Sequence, residues 1–221
     1  MALRAVFFDL DGTLLDTAKD LSAALNKTLE EDGRPTLPFS ETRGIVSEGS
    51  YALVKKGYAL NDDDPQVPVL RQRLLDHYLQ DLSRHTTPFD GIEALIDTIH
   101  QHGLSWGIVT NKPWPYAEPL MQRFEFASAP SCVLSPEHVK HRKPDPESLF
   151  LACEQTNCHV SEAIYIGDHR RDIECGRNAG MPTIAVSYGY IAEGDNIEDW
   201  QADHCVDHVS EIWPLLEHYL D

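Results

Sequence analysis

Two carboxylates one residue apart, Asp9 and Asp11, follow directly on an apolar run from Leu3 to Phe8, and Gly12-Thr13 comes next. Like charges this close repel, and burying one without a partner is costly. The pair is therefore either a strand-ending turn or a place where something positive sits. In extended backbone, residues i and i+2 point to the same side. Further groups of the same kind recur along the chain: Thr110-Asn111-Lys112, Lys143 in KPDP, and Asp168 and Asp172 in GDHRRD. Several carboxylates with no convergent histidine or cysteine suit a hard cation, Mg²⁺ rather than Zn²⁺. Thr110 and Lys143 suit phosphate oxygens. With the phosphoryl charge neutralised, Asp9 is a candidate nucleophile, and Asp11 an acid for the departing oxygen and a base for water. Gly12 permits the sharp turn that brings the two to one centre.

The elements that must position these residues can be read from the hydropathy pattern. Six short apolar runs, LRAVFF (3–8), LSWGIVT (104–110), CVL (132–134), AIYIG (163–167), PTIAV (182–186) and HCV (204–206), alternate with helical patterns. Such alternation predicts an α/β fold, a parallel sheet flanked by helices. The unbroken apolar character of AVFF and AIYI fits strands covered on both faces. Residues 16–87 differ: they carry no strand signal and read as helices separated by Pro35, Pro38, Asn61 to Pro65 and Pro88. A crossover needs only one helix, so an inserted all-helical subdomain over 16–87 is expected, with residues 1–15 and 88–221 forming the α/β core and hinges near Asp16 and Pro88. Ligands of open α/β sheets bind beyond the carboxyl ends of the strands. The candidate residues all fall there.

Bulk properties narrow the choice of partner. Thirty-six acidic against 18 basic residues give a net charge of −18, and the Lys and Arg residues form no dense cluster. That argues against nucleic acid or an anionic membrane as the main partner, and any anionic substrate, such as a small phosphorylated molecule, must be attracted locally by a metal or a few lysines. No run of 18 apolar residues and no secretory signal pattern is present. The five cysteines form no CxxC, so reduced thiols and a cytoplasmic location are expected.

DLDGT at 9–13, the Thr-Asn at 110–111, Lys143 in KPDP and GDHRRD at 167–172 together resemble the four motifs of the haloacid dehalogenase superfamily of phosphatases, in order, spacing and strand position. The resemblance covers essentially the whole chain. It implies a Rossmann-like core, and the place of the helical insert resembles the helical-cap subclass that includes phosphoglycolate phosphatases. It also implies a phosphoaspartate on Asp9 with Asp11 as acid and base. Asp9, the Asp11 carbonyl and Asp168 would hold Mg²⁺, with Asp172 a water-mediated ligand or the orienter of Lys143. Thr110, Asn111 and Lys143 would bind phosphate. His169 stands where relatives often have Ser or Asp. The metal-free dehalogenases lack an acid at the position of Asp11, which disfavours carbon–halogen hydrolysis. Beyond the motifs, VTNKPWPYAEPLMQ, HVKHRKPDPESLFLAC and SYGYIAEGDNIEDWQADHCVDH resemble the N-acetylmuramic acid 6-phosphate phosphatases of peptidoglycan recycling.

Residues of the insert should select the substrate, because the core motifs meet only phosphate. Arg43-Gly-Ile-Val-Ser-Glu-Gly-Ser50 is polar and glycine-bearing. It is either an interhelical turn or a specificity loop in which Arg43 meets a carboxylate and Ser47 and Ser50 meet sugar hydroxyls. Three other readings remain open at this level. One is a phosphatase for phosphoglycolate or another sugar phosphate, another is a phosphomutase, and the last is a phosphoacceptor signalling module. The early acceptor, the helical insert and Asp11 speak against the last.

Overall fold

The computed structural model describes residues 2–220, so positions 1 and 221 of the expected core lie outside the described residues. In chain order the elements are β1 (Ala5–Phe8), β2 (Leu15–Asp16), α1 (Ala18–Glu31), α2 (Phe39–Thr42), a 3-10 helix (Arg43–Glu48), α3 (Ser50–Tyr58), α4 (Val67–Gln80) and β3 (Thr87–Pro88). There follow α5 (Ile92–Gln101), β4 (Ser105–Val109), α6 (Trp114–Met121), β5 (Val133–Leu134), α7 (Glu147–Thr156), β6 (Ala163–Gly167), α8 (Arg170–Ala179), β7 (Thr183–Val186), β8 (His204–Val206) and α9 (Ile212–Glu217). Short 3-10 turns join several of them.

Six strands make one parallel sheet in the order β5-β4-β1-β6-β7-β8. Side chains alternate across a strand, and β1 divides accordingly. Val6 and Phe8 join an apolar cluster with α5 and α9, while Ala5 and Phe7 join another with α7 and α8. In β6, Ile164 and Ile166 go to the first cluster and Ala163 and Tyr165 to the second. Burying each phenylalanine contributes about 2–3 kcal/mol. The chain builds outward from β1 through β4 to β5 and later through β6 to β8. The strand order therefore reverses beside β1, where a crevice opens at the carboxyl ends.

Helices α1 to α4 bury a separate apolar cluster of their own, with Leu25, Leu29, Leu53, Val54, Leu74 and Tyr78 among its members. The sequence gives no strand signal near the ends of this segment, yet β2 and β3 pair there in antiparallel fashion, Leu15 with Pro88 and Asp16 with Thr87. Two residues per strand are too few to leave a periodic pattern. The ribbon is tied from α1: the buried Asp20 carboxylate accepts hydrogen bonds from the His85 and Thr86 backbone N–H groups and from the Thr86 hydroxyl. No helix among the described residues is long and apolar enough to cross a membrane.

Candidate active site

β1 ends at Phe8 and delivers Asp9 to the crevice; the chain then turns tightly, with the Gly12 N–H donating to the Leu15 carbonyl. Gly12 has φ +89°, and a Cβ there would lie 2.1 Å from Asp168 Oδ2. Both the backbone conformation and the close approach of Asp168 require glycine at this position. β4 delivers Thr110 to Lys112, the loop before α7 delivers Lys143, and β6 delivers Asp168. Asp172 lies in the first turn of α8 and accepts from the His169 N–H, while the His169 ring accepts from the Arg171 N–H. His169 is thus an N-cap.

Carboxylate oxygens of Asp9, Asp168 and Asp172, all three buried, lie within 4.8 Å of one another. Lys143 Nζ bridges two of them, at 2.9 Å from Asp9 Oδ1 and 2.6 Å from Asp172 Oδ1, and also donates to the Val109 carbonyl and the Tyr165 hydroxyl. Burial works against its charge, but Asp172 and Asp9 outweigh burial and hold the ammonium above its ordinary value. Burial raises the Asp9 carboxyl above its ordinary 3.8 against the opposing pull of Lys143. Burial, then the charges of Asp9 and Asp172, push Asp168 up to about 7. The trio is therefore short of positive charge even with Lys143 in place.

Asp11 stands apart from the trio. Its Oδ1 accepts from the Thr17 hydroxyl at 2.6 Å and from Lys112 Nζ at 2.9 Å. Lys112 is buried. Its charge would be suppressed by burial, but Asp11 holds its pKa above the ordinary value. Its Nζ also sits 4.6 Å from the centre of the Tyr78 ring. Among the described residues, no side chain donates a hydrogen bond to Oδ2 of Asp9 or to Oδ2 of Asp11. Each acid thus gives one oxygen to a buried lysine and keeps the other free.

A cavity of about 230 Å³ lies over these groups, lined by Asp9, Asp11, Thr110, Asn111, Lys112, Lys143 and Asp172 from the sheet side and by Ser47, Ser50, Arg71 and Tyr78 from the helical segment. Thr110 Oγ1 accepts from the Lys112 N–H, and Asn111 Nδ2 donates to the Lys143 carbonyl. Thr110 and Asn111 thus shape the loop as well as lining the cavity. The polar stretch 43–50 divides. Ser47 donates to Asp168 Oδ2 at 2.9 Å, so its hydroxyl is directed at the acidic trio. Ser50 Oγ accepts from Arg71 Nε at 2.9 Å. Arg43 does not line the cavity, contrary to the expectation that it meets a substrate carboxylate. Its guanidinium donates to the Tyr188 carbonyl and lies over the Tyr190 ring, fastening the 3-10 helix to the loop after β7. Sequence reasoning gave Lys112 and Arg71 no role. The adjacency of Lys112 to Thr110-Asn111 was a usable signal, whereas Arg71 sits on a helix whose pattern reads as an ordinary amphipathic surface.

The arrangement joins a free carboxylate oxygen, a second one beside it, and a lysine-bridged acidic trio in one pocket. A sequence model of the haloacid dehalogenase-like hydrolase family matches residues 6–186, which contain all of these groups. The chain belongs to this family. It is 45% identical over 220 residues to an N-acetylmuramic acid 6-phosphate phosphatase of Pseudomonas aeruginosa, covering 100% of this chain and 97% of that protein. It is 35% identical over 210 residues to a phosphoglycolate phosphatase of Xanthomonas campestris, covering 95% of each. Among solved structures, a haloacid dehalogenase-like family protein of Streptococcus pneumoniae superposes with a TM-score of 0.82 at 22% identity, over 96% of this chain and 98% of that one. That likeness shows the shared fold.

Proposed function

We propose that this protein is a Mg²⁺-dependent phosphomonoesterase acting through a phosphoaspartate on Asp9, with N-acetylmuramic acid 6-phosphate as its substrate. The observation that carries the chemistry is the pairing of two cavity-facing acids, each tied to its own buried lysine and each with one free oxygen. The substrate is supported by the 45% identity over the whole chain.

The acidic trio fits a divalent cation: it is buried, made of hard oxygen donors, and carries more negative charge than Lys143 offsets. Asp9, Asp168 and the Asp11 carbonyl would hold Mg²⁺, with Asp172 behind them holding Lys143. When bound, the ion supplies positive charge to the phosphoryl oxygens and keeps the neighbouring carboxylates ionised. Lys143, Thr110 and Asn111 orient the phosphoryl group toward the free oxygen of Asp9. Asp9 attacks phosphorus, a P–O bond to the carboxylate forms, and the ester P–O bond breaks. Asp11, protonated on its free oxygen, gives that proton to the departing sugar oxygen. As a carboxylate it then takes a proton from water, whose oxygen attacks the phosphorus of the acyl phosphate and releases phosphate and Asp9. Helices α1 to α4 act as a cap over the cavity, spanning residues 16–87 as a unit apart from the core. The five cysteines are free thiols, which suits a reducing cytoplasm.

The test is phosphate release with Mg²⁺ over N-acetylmuramic acid 6-phosphate, phosphoglycolate, hexose 6-phosphates and a nucleotide. Turnover of the first well above the rest is expected, with Asp9→Asn lowering kcat by more than about 10³-fold. Preference for phosphoglycolate would reassign the substrate. No release from any of them, or full activity of Asp9→Asn, would overturn the chemistry.

A further inference from the structure

Arg71 projects from α4 into the cavity wall and is half-buried there. Its Nε donates to Ser50 Oγ at 2.9 Å, and its guanidinium carbon lies 4.5 Å from the centre of the Tyr51 ring. Those two contacts fix the plane of the group, yet both Nη atoms make no hydrogen bond or ion pair with any described residue. That is unusual in a chain with twice as many acids as bases. Elsewhere in the same wall Arg171 is already matched by Glu48 at 2.9 Å. A guanidinium held by one edge and one face, with its remaining N–H groups open to a cavity, is preorganised for two-pronged contact with a carboxylate.

The rest of the cavity says where such a carboxylate would come from. On the proposed function, Asp9, Thr110 and Lys143 of the sheet side take the phosphoryl group. Leu75 and the aromatic side chains of Tyr78 and Tyr116 line the same cavity. Tyr78 is buried beside Lys112, whose Nζ lies 4.6 Å from the centre of its ring. The cavity lining thus combines the groups assigned to phosphate, apolar and aromatic side chains, and the Arg71 cation.

We propose that Arg71, held by Ser50 and Tyr51, binds a carboxylate that the substrate carries at the end remote from its phosphate. This rests on the phosphomonoesterase reading above and names what selects the substrate of that site. A sugar 6-phosphate with an ether-linked carboxylic acid at its third carbon carries a phosphate and a separate carboxylate, the two kinds of anionic group that this lining has cations to meet. The role first expected of Arg43 belongs to Arg71, because Arg43 is used up on Tyr188 and Tyr190.

The experiment compares kcat/KM for N-acetylmuramic acid 6-phosphate with that for N-acetylglucosamine 6-phosphate, which has a free hydroxyl in place of the lactyl ether and its carboxylate. Arg71→Met is expected to lower the ratio of the two about tenfold or more, through KM of the carboxylate substrate. Arg71→Lys recovers part of the ratio, and Arg43→Gln leaves it unchanged. Because both values come from one preparation, loss of folded protein cancels. A ratio unaltered by Arg71→Met, or shifted equally by Arg43→Gln, would overturn the assignment while leaving the phosphatase chemistry intact. Failure of the unaltered protein to release phosphate from either sugar would overturn that chemistry first.

Discussion

Lys112 Nζ lies 2.9 Å from Asp11 Oδ1, and the Thr17 hydroxyl donates to that same oxygen, so one oxygen of this cavity-lining carboxylate carries both contacts. A carboxyl held in this way has its rotation fixed and its reactive edge chosen for it. Lys112→Met should therefore release Asp11 without touching the nucleophile. We expect kcat to fall about 10- to 100-fold, within the range of acid–base contributions, with KM changed little. Steady-state kinetics with N-acetylmuramic acid 6-phosphate measures this, and an unchanged kcat would show that Asp11 needs no such holder.

Gly12→Ala places a methyl group where the Asp168 carboxylate now lies, 2.1 Å from Oδ2, at a φ of +89°. The displaced carboxylate should lower activity by about 10²-fold, the usual result of misplacing a group by an ångström. The folded protein should persist, which circular dichroism at 222 nm would show.

Adding Mg²⁺ should raise the melting temperature, because the buried trio of Asp9, Asp168 and Asp172 is held together against its own repulsion. Binding only the folded state stabilises it by about 2.7 kcal/mol at a hundred times Kd. Asp168→Asn should abolish the rise, as differential scanning calorimetry would reveal.

Asp20→Ala leaves two backbone N–H groups and the Thr86 hydroxyl without their acceptor at a buried position. A loss of about 2–4 kcal/mol is expected, since each orphaned donor costs about 1–3 kcal/mol and some regain water. Urea unfolding reads it directly.

On α4, Arg73 pairs with Asp32 at 2.9 Å and Glu31 at 3.0 Å, and its hydrogen bonds hold both carboxyls below their ordinary 3.8 and 4.5. A carboxylate whose pKa is lower when folded adds stability above its unfolded pKa and loses it as pH falls through the folded one. Arg73→Ala should thus melt below the unaltered protein at pH 7. The gap should close as pH is lowered past those depressed values, in melting curves taken from pH 7 to 3.

The sheet was legible because a strand buried on both faces leaves an unbroken apolar run, as AVFF and AIYI do. The long helices were legible from breakers such as Pro35, Pro38 and the stretch from Asn61 to Pro65. The acids and Lys143 stood out because the strand ends concentrate them. What pattern cannot carry is direction. Arg43 and Arg71 are both arginines of the helical segment, and only the packing of the 3-10 helix against Tyr190 shows that the first is spent and the second free. Likewise the Leu15–Pro88 pairing is too short to register, and Lys112 gains its meaning only from a carboxylate 101 residues away.

The helical segment leaves the sheet and returns to it through one ribbon, Leu15 facing Pro88 and Asp16 facing Thr87. A segment whose two ends already meet can be lengthened, trimmed or exchanged at small entropic cost, with no strand of the sheet displaced. Heredity can then treat the two walls of the cavity separately. The sheet-side lining can stay as it is while the helical lining above it is rewritten.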